Sequence, residues 1–212
     1  MNSEALCHLR RADPVLGTVI RRVGNCLLAP DTKRSPFESL VRAVANQQLN
    51  GKAAQTILNR FCDLFPGKRF PSSADIEAIT DDQMRACGFS RAKIASIRDI
   101  ARHSMSGLIP TSRQITKLPD DEIVTRLTEV RGVGRWTVEM LLMFQLGRPD
   151  VLPADDFGIR NGFRLAFGLD EMPKPKEVLS HGERWRPYRT TASWYLWRAV
   201  EIPWPAPGSP RG

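Results

Sequence analysis

The sequence has no two cysteines close enough for a CxxC zinc pair, and no four-cysteine run spaced for an iron–sulfur cluster. Its four cysteines, Cys7, Cys26, Cys62 and Cys87, are scattered, and so are its three histidines, His8, His103 and His181. A metal site built from side chains is therefore not expected, and idle thiols suit a reducing compartment. Long apolar runs are missing too. Nothing approaches the roughly 20 apolar residues of a membrane span, and the opening MNSEALCHLRRADP lacks the apolar core of a signal peptide. The expected location is the cytoplasm. Alternating apolar–polar stretches of useful length are absent, which argues against a sheet and leaves an all-α fold. No repeat of solenoid period is present.

What the sequence does have is positive charge. Lys and Arg total 31 against 23 Asp and Glu, a formal net charge of +8. A surplus of that size favours a polyanionic partner, although a merely basic surface reads the same way on charge alone. With 212 residues, 42% of them hydrophobic, the chain is long enough to bury a core as one domain or two small ones.

Helical signals follow one another. Ser35-Pro36-Phe37-Glu38 reads as a capping box with proline in the first turn, followed by Leu40, Val41 and Val44 at helical spacing. A second apolar face runs through Ala54, Ile57, Leu58, Phe61 and Leu64, up to Pro66-Gly67. Thr80 to Gln83 is another capping box, with Gly88 as its stop. Ser90 opens a helix carrying Ile94, Ile97, Ile100 and Ala101. Further helices are predicted over about 135–146, 156–167 and from near Pro187, with a loop over 168–176. The proline-rich segment 205–212 is expected to be disordered.

The sharpest local signal is Leu127-Thr-Glu-Val130-Arg-Gly132-Val133-Gly134-Arg135-Trp136-Thr137, two helical patterns joined by a turn with two glycines. Glycine permits positive φ and close approach of another molecule's backbone. Gly134 also opens a helix whose N-terminal N–H groups suit a phosphate, and Arg135 adds a full charge there. An ordinary tight turn would explain a bare G-V-G. Downstream, in LPADDFGIR, Asp156 lies 22 positions past Gly134. Either Asp155 or Asp156 is well suited to cap the following helix, so one of them can cap while the other acts chemically.

LxxVxGVGxWT resembles the helix-hairpin-helix motif of DNA repair proteins, which grips the DNA backbone without reading sequence. With the spaced aspartate it is similar to the helix-hairpin-helix superfamily of base-excision glycosylases. Within that superfamily, GVGRWT, LPADDFGIR and WRPYRTTASWYLW resemble the DNA-3-methyladenine glycosylase II family, over roughly residues 36–200. The resemblance implies two helical lobes with a DNA-binding cleft between them. A segment 1–36 would pack with the C-terminal lobe, 37–146 would be the central lobe, and 147–204 would carry the catalytic aspartate. The chain is expected to be a compact form without the N-terminal β-domain of some members. It is also expected to be a monomer acting on double-stranded DNA with alkylated bases.

The same resemblance implies a role for each site residue. Asp156 matches the catalytic carboxylate. Trp136 and Trp197 match positions lining the base pocket, where an indole face attracts a cationic ring. Trp194 and Tyr195 are better read as core. Gly132, Gly134, Arg135 and Thr137 belong to the DNA-gripping hairpin. Gln48 matches the wedge that fills the hole left by a flipped base, with Leu49 beside it, and Arg91 and Lys93 are further candidates for phosphate contact. The carbonyls of Thr128, Val130 and Val133 match a site for a monovalent cation, Na or K; no other cofactor is expected. Bifunctional members carry a lysine at the position of Trp136, so the implied enzyme is monofunctional, with water as the nucleophile. The alternatives are a non-catalytic helix-hairpin-helix protein that only clamps DNA, a lyase for oxidised bases, and an unrelated basic helical module.

Overall fold

A computed structural model describes residues 3–204, and every regular element among them is helical. In chain order these are α1 (Ser3–Ala12), α2 (Pro14–Val23), α3 (Pro36–Asn46), α4 (Gly51–Asp63), α5 (Ser73–Ala78), α6 (Asp81–Cys87) and α7 (Arg91–Met105). There follow α8 (Ser112–Ile115), α9 (Asp120–Leu127), α10 (Arg135–Phe144), α11 (Phe157–Phe167), α12 (Pro175–Gly182), a 3-10 turn over Glu183–Trp185 and α13 (Arg189–Ala199). The described residues divide into two compact units, one of Asp31–Leu141 and one combining residues up to Pro30 with those from Leu142 onward. The divisions fall near Pro30 and inside α10, rather than at the expected 36 and 146. The segment 205–212, expected to be disordered, lies outside the described residues.

Local chemistry sets the helix ends. Thr80 and Gln83 close a capping box and Gly88 stops α6 in the left-handed conformation, at φ +112°. Ser35 caps α3 by accepting from the Glu38 amide, but the reciprocal half of the expected box is not made. The Glu38 carboxylate turns instead to Arg42 and Arg69, at 2.9 Å each, where two full charges outcompete one backbone N–H. The loop expected over 168–176 gives way at Pro175 to α12, with proline in its first turn and the Glu177 carboxylate accepting from the Lys174 amide at 2.6 Å.

In the unit 31–141, α7 is central. Its buried Ile94, Ile97 and Ile100 belong to one face, and α3 and α5 both pack on it. In the other unit, α2, α11 and α13 share a core of Leu16, Val19, Ile20, Phe163, Tyr195 and Leu196. Tyr195 is fully buried and donates to the Gly24 carbonyl; burial pushes its phenol up to about 12.

Asp13 ties this second core together. It is buried, one oxygen caps α2 through the Val15 and Leu16 amides, and the other meets the His181 ring at 2.8 Å and the Trp185 indole N–H at 2.9 Å. Burial alone would raise its pKa, but the hydrogen bonds from His181, Leu16 and Trp185 outweigh burial and hold the carboxyl below the ordinary value. A carboxyl depressed in the folded state contributes stability above its unfolded pKa and loses it as pH falls through the folded one. Asp13→Asn keeps the cap but points an amide donor at the Trp185 indole N–H, which can only donate. It should cost roughly 1–3 kcal/mol at neutral pH, and the gap to the parent should close as pH drops below about 4. Thermal melts across that range check this, and a gap independent of pH would contradict it.

Candidate active site

Asp156 sits at the N-cap of α11, and two donors converge on one of its oxygens. The Ile159 amide and the Trp197 indole N–H both reach Oδ1, each at 2.8 Å. The sequence left open that one aspartate caps while its neighbour acts. The structure gives both the cap and the indole bond to Asp156, while Asp155 is exposed. Trp197 stands on α13, half-buried, and its ring stacks on Phe144 at 5.8 Å and 25°. The indole therefore has two functions: its N–H edge holds the carboxylate, and its ring forms part of an aromatic stack. Trp194 is half-buried beside Tyr195, in the core cluster.

Two glycines make the Asp156–Trp197 pair geometrically possible, and nothing in the sequence reading singled them out. A Cβ on Gly158 would lie 2.8 Å from Trp197 Cδ1 and 3.0 Å from Asp156 Oδ1. A Cβ on Gly162 would lie 1.8 Å from the Leu196 carbonyl oxygen. Gly158 and Gly162 are four apart, hence on one face of α11, which lets α13 approach closely. That spacing was the available signal. Phe144 was missed as well, since one aromatic near a helix end reads as core.

The hairpin belongs to the other unit. Its two glycines have different reasons. Gly132 needs its φ of +77°, and a Cβ there would meet Ser96 Oγ at 2.4 Å. Gly134 is not at positive φ, and a Cβ there would meet nothing within 4 Å, so neither backbone conformation nor packing inside the chain demands glycine. Arg135 and Trp136 are exposed, with the Arg135 guanidinium 3.1 Å from Glu139. Thr137 is buried, so its side chain is not part of the hairpin's outer surface. Val130 and Val133 bury their side chains, and the Val130 carbonyl accepts from the Val133 amide at 3.0 Å.

Also in this unit, Gln48 and Leu49 are exposed in the turn between α3 and α4. Gln48 has φ +57°, the one positive φ among the described non-glycine residues. Asn50 then caps α4 through the Ala53 amide. Lys93 is half-buried rather than free on the surface: its Nζ donates to the Ala45 carbonyl at the end of α3, at 2.7 Å, and burial lowers its pKa. Arg91 is exposed.

Comparison with known proteins bears on these features together. The family model described as HhH-GPD superfamily base excision DNA repair protein matches residues 41–187. DNA-3-methyladenine glycosylase 1 of Schizosaccharomyces pombe is 44% identical over 94% of this chain and 88% of its own length. The solved structure of the 3-methyladenine DNA glycosylase of that yeast with abasic DNA superposes with a TM-score of 0.83 over 94% of this chain and 98% of the other, at 44% identity. A DNA-3-methyladenine glycosidase of Bacillus halodurans gives 0.85 at 33% identity, over 94% and 90%. The matched span contains both the hairpin at Gly132–Gly134 and the aspartate cap of α11, and the chain belongs to the HhH-GPD superfamily of base excision DNA repair proteins.

Proposed function

We propose that this base excision repair glycosylase is monofunctional: it hydrolyses the N-glycosidic bond of alkylated bases of the 3-methyladenine and 7-methylguanine type and leaves an abasic site in an intact strand. The observation that carries this reading is the Asp156 carboxylate, fixed at the start of α11 by the Ile159 amide and the Trp197 indole. Cleavage of the glycosidic bond develops positive charge on the sugar, and a carboxylate oriented in advance stabilises it without reorganising. The same group can orient the attacking water. A base alkylated on a ring nitrogen is already cationic and leaves neutral, so it needs little help from a general acid. One carboxylate therefore suffices, where sugar hydrolases use two.

The remaining residues divide between grip and recognition. The exposed hairpin end at Gly134 and Arg135, with no side chain on Gly134 to hold a partner off, suits a DNA phosphate. Gln48 and Leu49 suit the wedge, and the indoles of Trp136 and Trp197 suit an electron-poor base. A monovalent cation at the hairpin fits the chemistry of Thr128, Val130 and Val133, because backbone carbonyls are hard oxygen donors. The Val130 oxygen keeps a second lone pair beside its bond to Val133. Such a cation would offset phosphate charge.

With an indole at position 136 the lyase amine is missing, which leaves water as the nucleophile. Incubation with randomly methylated duplex DNA is expected to yield sites that break only after heat or alkali, and borohydride should trap no covalent protein–DNA adduct. Binding without such sites would leave a DNA clamp, and an efficient adduct would mean that another lysine serves as nucleophile.

A further inference from the structure

The turn at Gln48 and the hairpin at Gly132 are far apart in sequence, yet both are seated on one helix. Lys93, Ser96 and Asp99 follow at intervals of three along one face of α7. Lys93 Nζ holds the Ala45 carbonyl, at the end of α3 that leads into the turn. Ser96 lies where a side chain on residue 132 would have to go. Asp99 Oδ2 accepts from the Arg131 amide at 2.8 Å. A direct bond joins turn and hairpin: Gln47 Nε2 donates to the Gly132 carbonyl at 3.0 Å.

The residue after Gln47 is the one with a left-handed backbone. For a side chain longer than Asn or Asp, that conformation is disfavoured and persists only where its surroundings fix it. Those surroundings are the end of α3 under Lys93, the Asn50 cap of α4, and Gln47 itself, anchored on the hairpin.

We propose that Gln47 is a positioning residue that couples the wedge turn to the hairpin, so that gripping the phosphate backbone and presenting Gln48 to the base stack are one event. The coupling rests on the glycosylase reading for its purpose but not for its geometry. A hairpin seated on DNA fixes the Gly132 carbonyl, the carbonyl fixes Gln47, and Gln47 holds its exposed neighbour in the left-handed conformation. Without the bond, the hairpin still grips, but the turn is free to relax into an ordinary right-handed or extended conformation.

Gln47→Leu removes the donor at similar size, and Gln47→Glu keeps the shape but sets a carboxylate against a carbonyl. The full chain and both variants are compared in three measurements: affinity for undamaged duplex at fixed salt, fluorescence of 2-aminopurine beside an abasic-site analogue, and single-turnover excision from methylated duplex. Both variants should keep the parent's duplex affinity and melting temperature, while the unstacking signal and the excision rate fall about 10-fold, the scale of one hydrogen bond. In a Gln48→Ala background, Gln47→Leu should add little, because the two changes remove one device. Unchanged unstacking in both variants would overturn the proposal. So would a parallel loss of duplex affinity, which would make the bond part of the grip alone. Unstacking and affinity need no bond cleavage, so they test the coupling even if the parent excises nothing, a result that would instead overturn the glycosylase reading.

Discussion

Asp156→Asn is expected to lower single-turnover excision by about 10²–10³-fold, the usual effect of losing one preorganised electrostatic interaction, while fold and duplex affinity stay at the parent level. The structure makes this substitution unusually clean. The Ile159 amide and the Trp197 indole reach the same oxygen of Asp156, and an amide oxygen can accept from both. Asn is also as good an N-cap as Asp. What changes is the negative charge, so a residue that only caps α11 would tolerate the replacement. The loss should be smaller for bases that already carry positive charge, because their departure needs less stabilisation of the sugar. Asp155→Asn, at an exposed position without the cap or indole bonds, should be nearly silent. Excision of 3-methyladenine by Asp156→Asn at the parent rate would remove the carboxylate from the mechanism, and a strong effect at Asp155 with none at Asp156 would move the role next door.

The helices of the central unit were legible in the sequence because their signals are local. Ser90, Thr80 with Gln83, and Gly88 act within three residues of themselves, and the structure uses each as read. The hairpin was legible in its paired glycines, and Asp156 rather than Asp155 was assigned by resemblance. What stayed hidden depends on residues far apart in sequence. Glu38 reads as half of a capping box until Arg69 arrives from 31 positions away. Lys93 reads as a surface cation until the end of α3 lies against it. Thr137, at the end of the hairpin motif, reads by resemblance as a DNA contact, yet its side chain is buried. Trp197 was placed in the base pocket by resemblance, but its bond to Asp156 spans 41 positions and no local pattern announces it.

The distance between those two residues is set by glycine, and Gly162→Ala is expected to be the most damaging single methyl group in the protein. On Gly162 a Cβ would stand 1.8 Å from the Leu196 oxygen and 2.7 Å from the Leu196 carbonyl carbon. These are backbone atoms of α13, so no rotamer change relieves the clash and the helix itself must move. Overpacking a core commonly costs 1–3 kcal/mol and sometimes more. Here the cost should exceed about 3 kcal/mol, since the displaced element carries buried Tyr195 and Leu196. Gly158→Ala, one turn earlier on the same face, meets only side-chain atoms: Trp197 Cδ1 at 2.8 Å, Asp156 Oδ1 at 3.0 Å and Trp197 Nε1 at 3.2 Å. Those can yield without moving either helix backbone, at the cost of shifting the indole against the carboxylate. Gly158→Ala should therefore melt near the parent temperature but excise some 10–100-fold more slowly, the scale of one displaced charge-assisted hydrogen bond. Thermal melts and single-turnover excision separate the two variants. A Gly162→Ala protein as stable as the parent would mean that α11 and α13 tolerate a wider spacing. Full activity in Gly158→Ala would mean that the carboxylate works without the indole's hold on it.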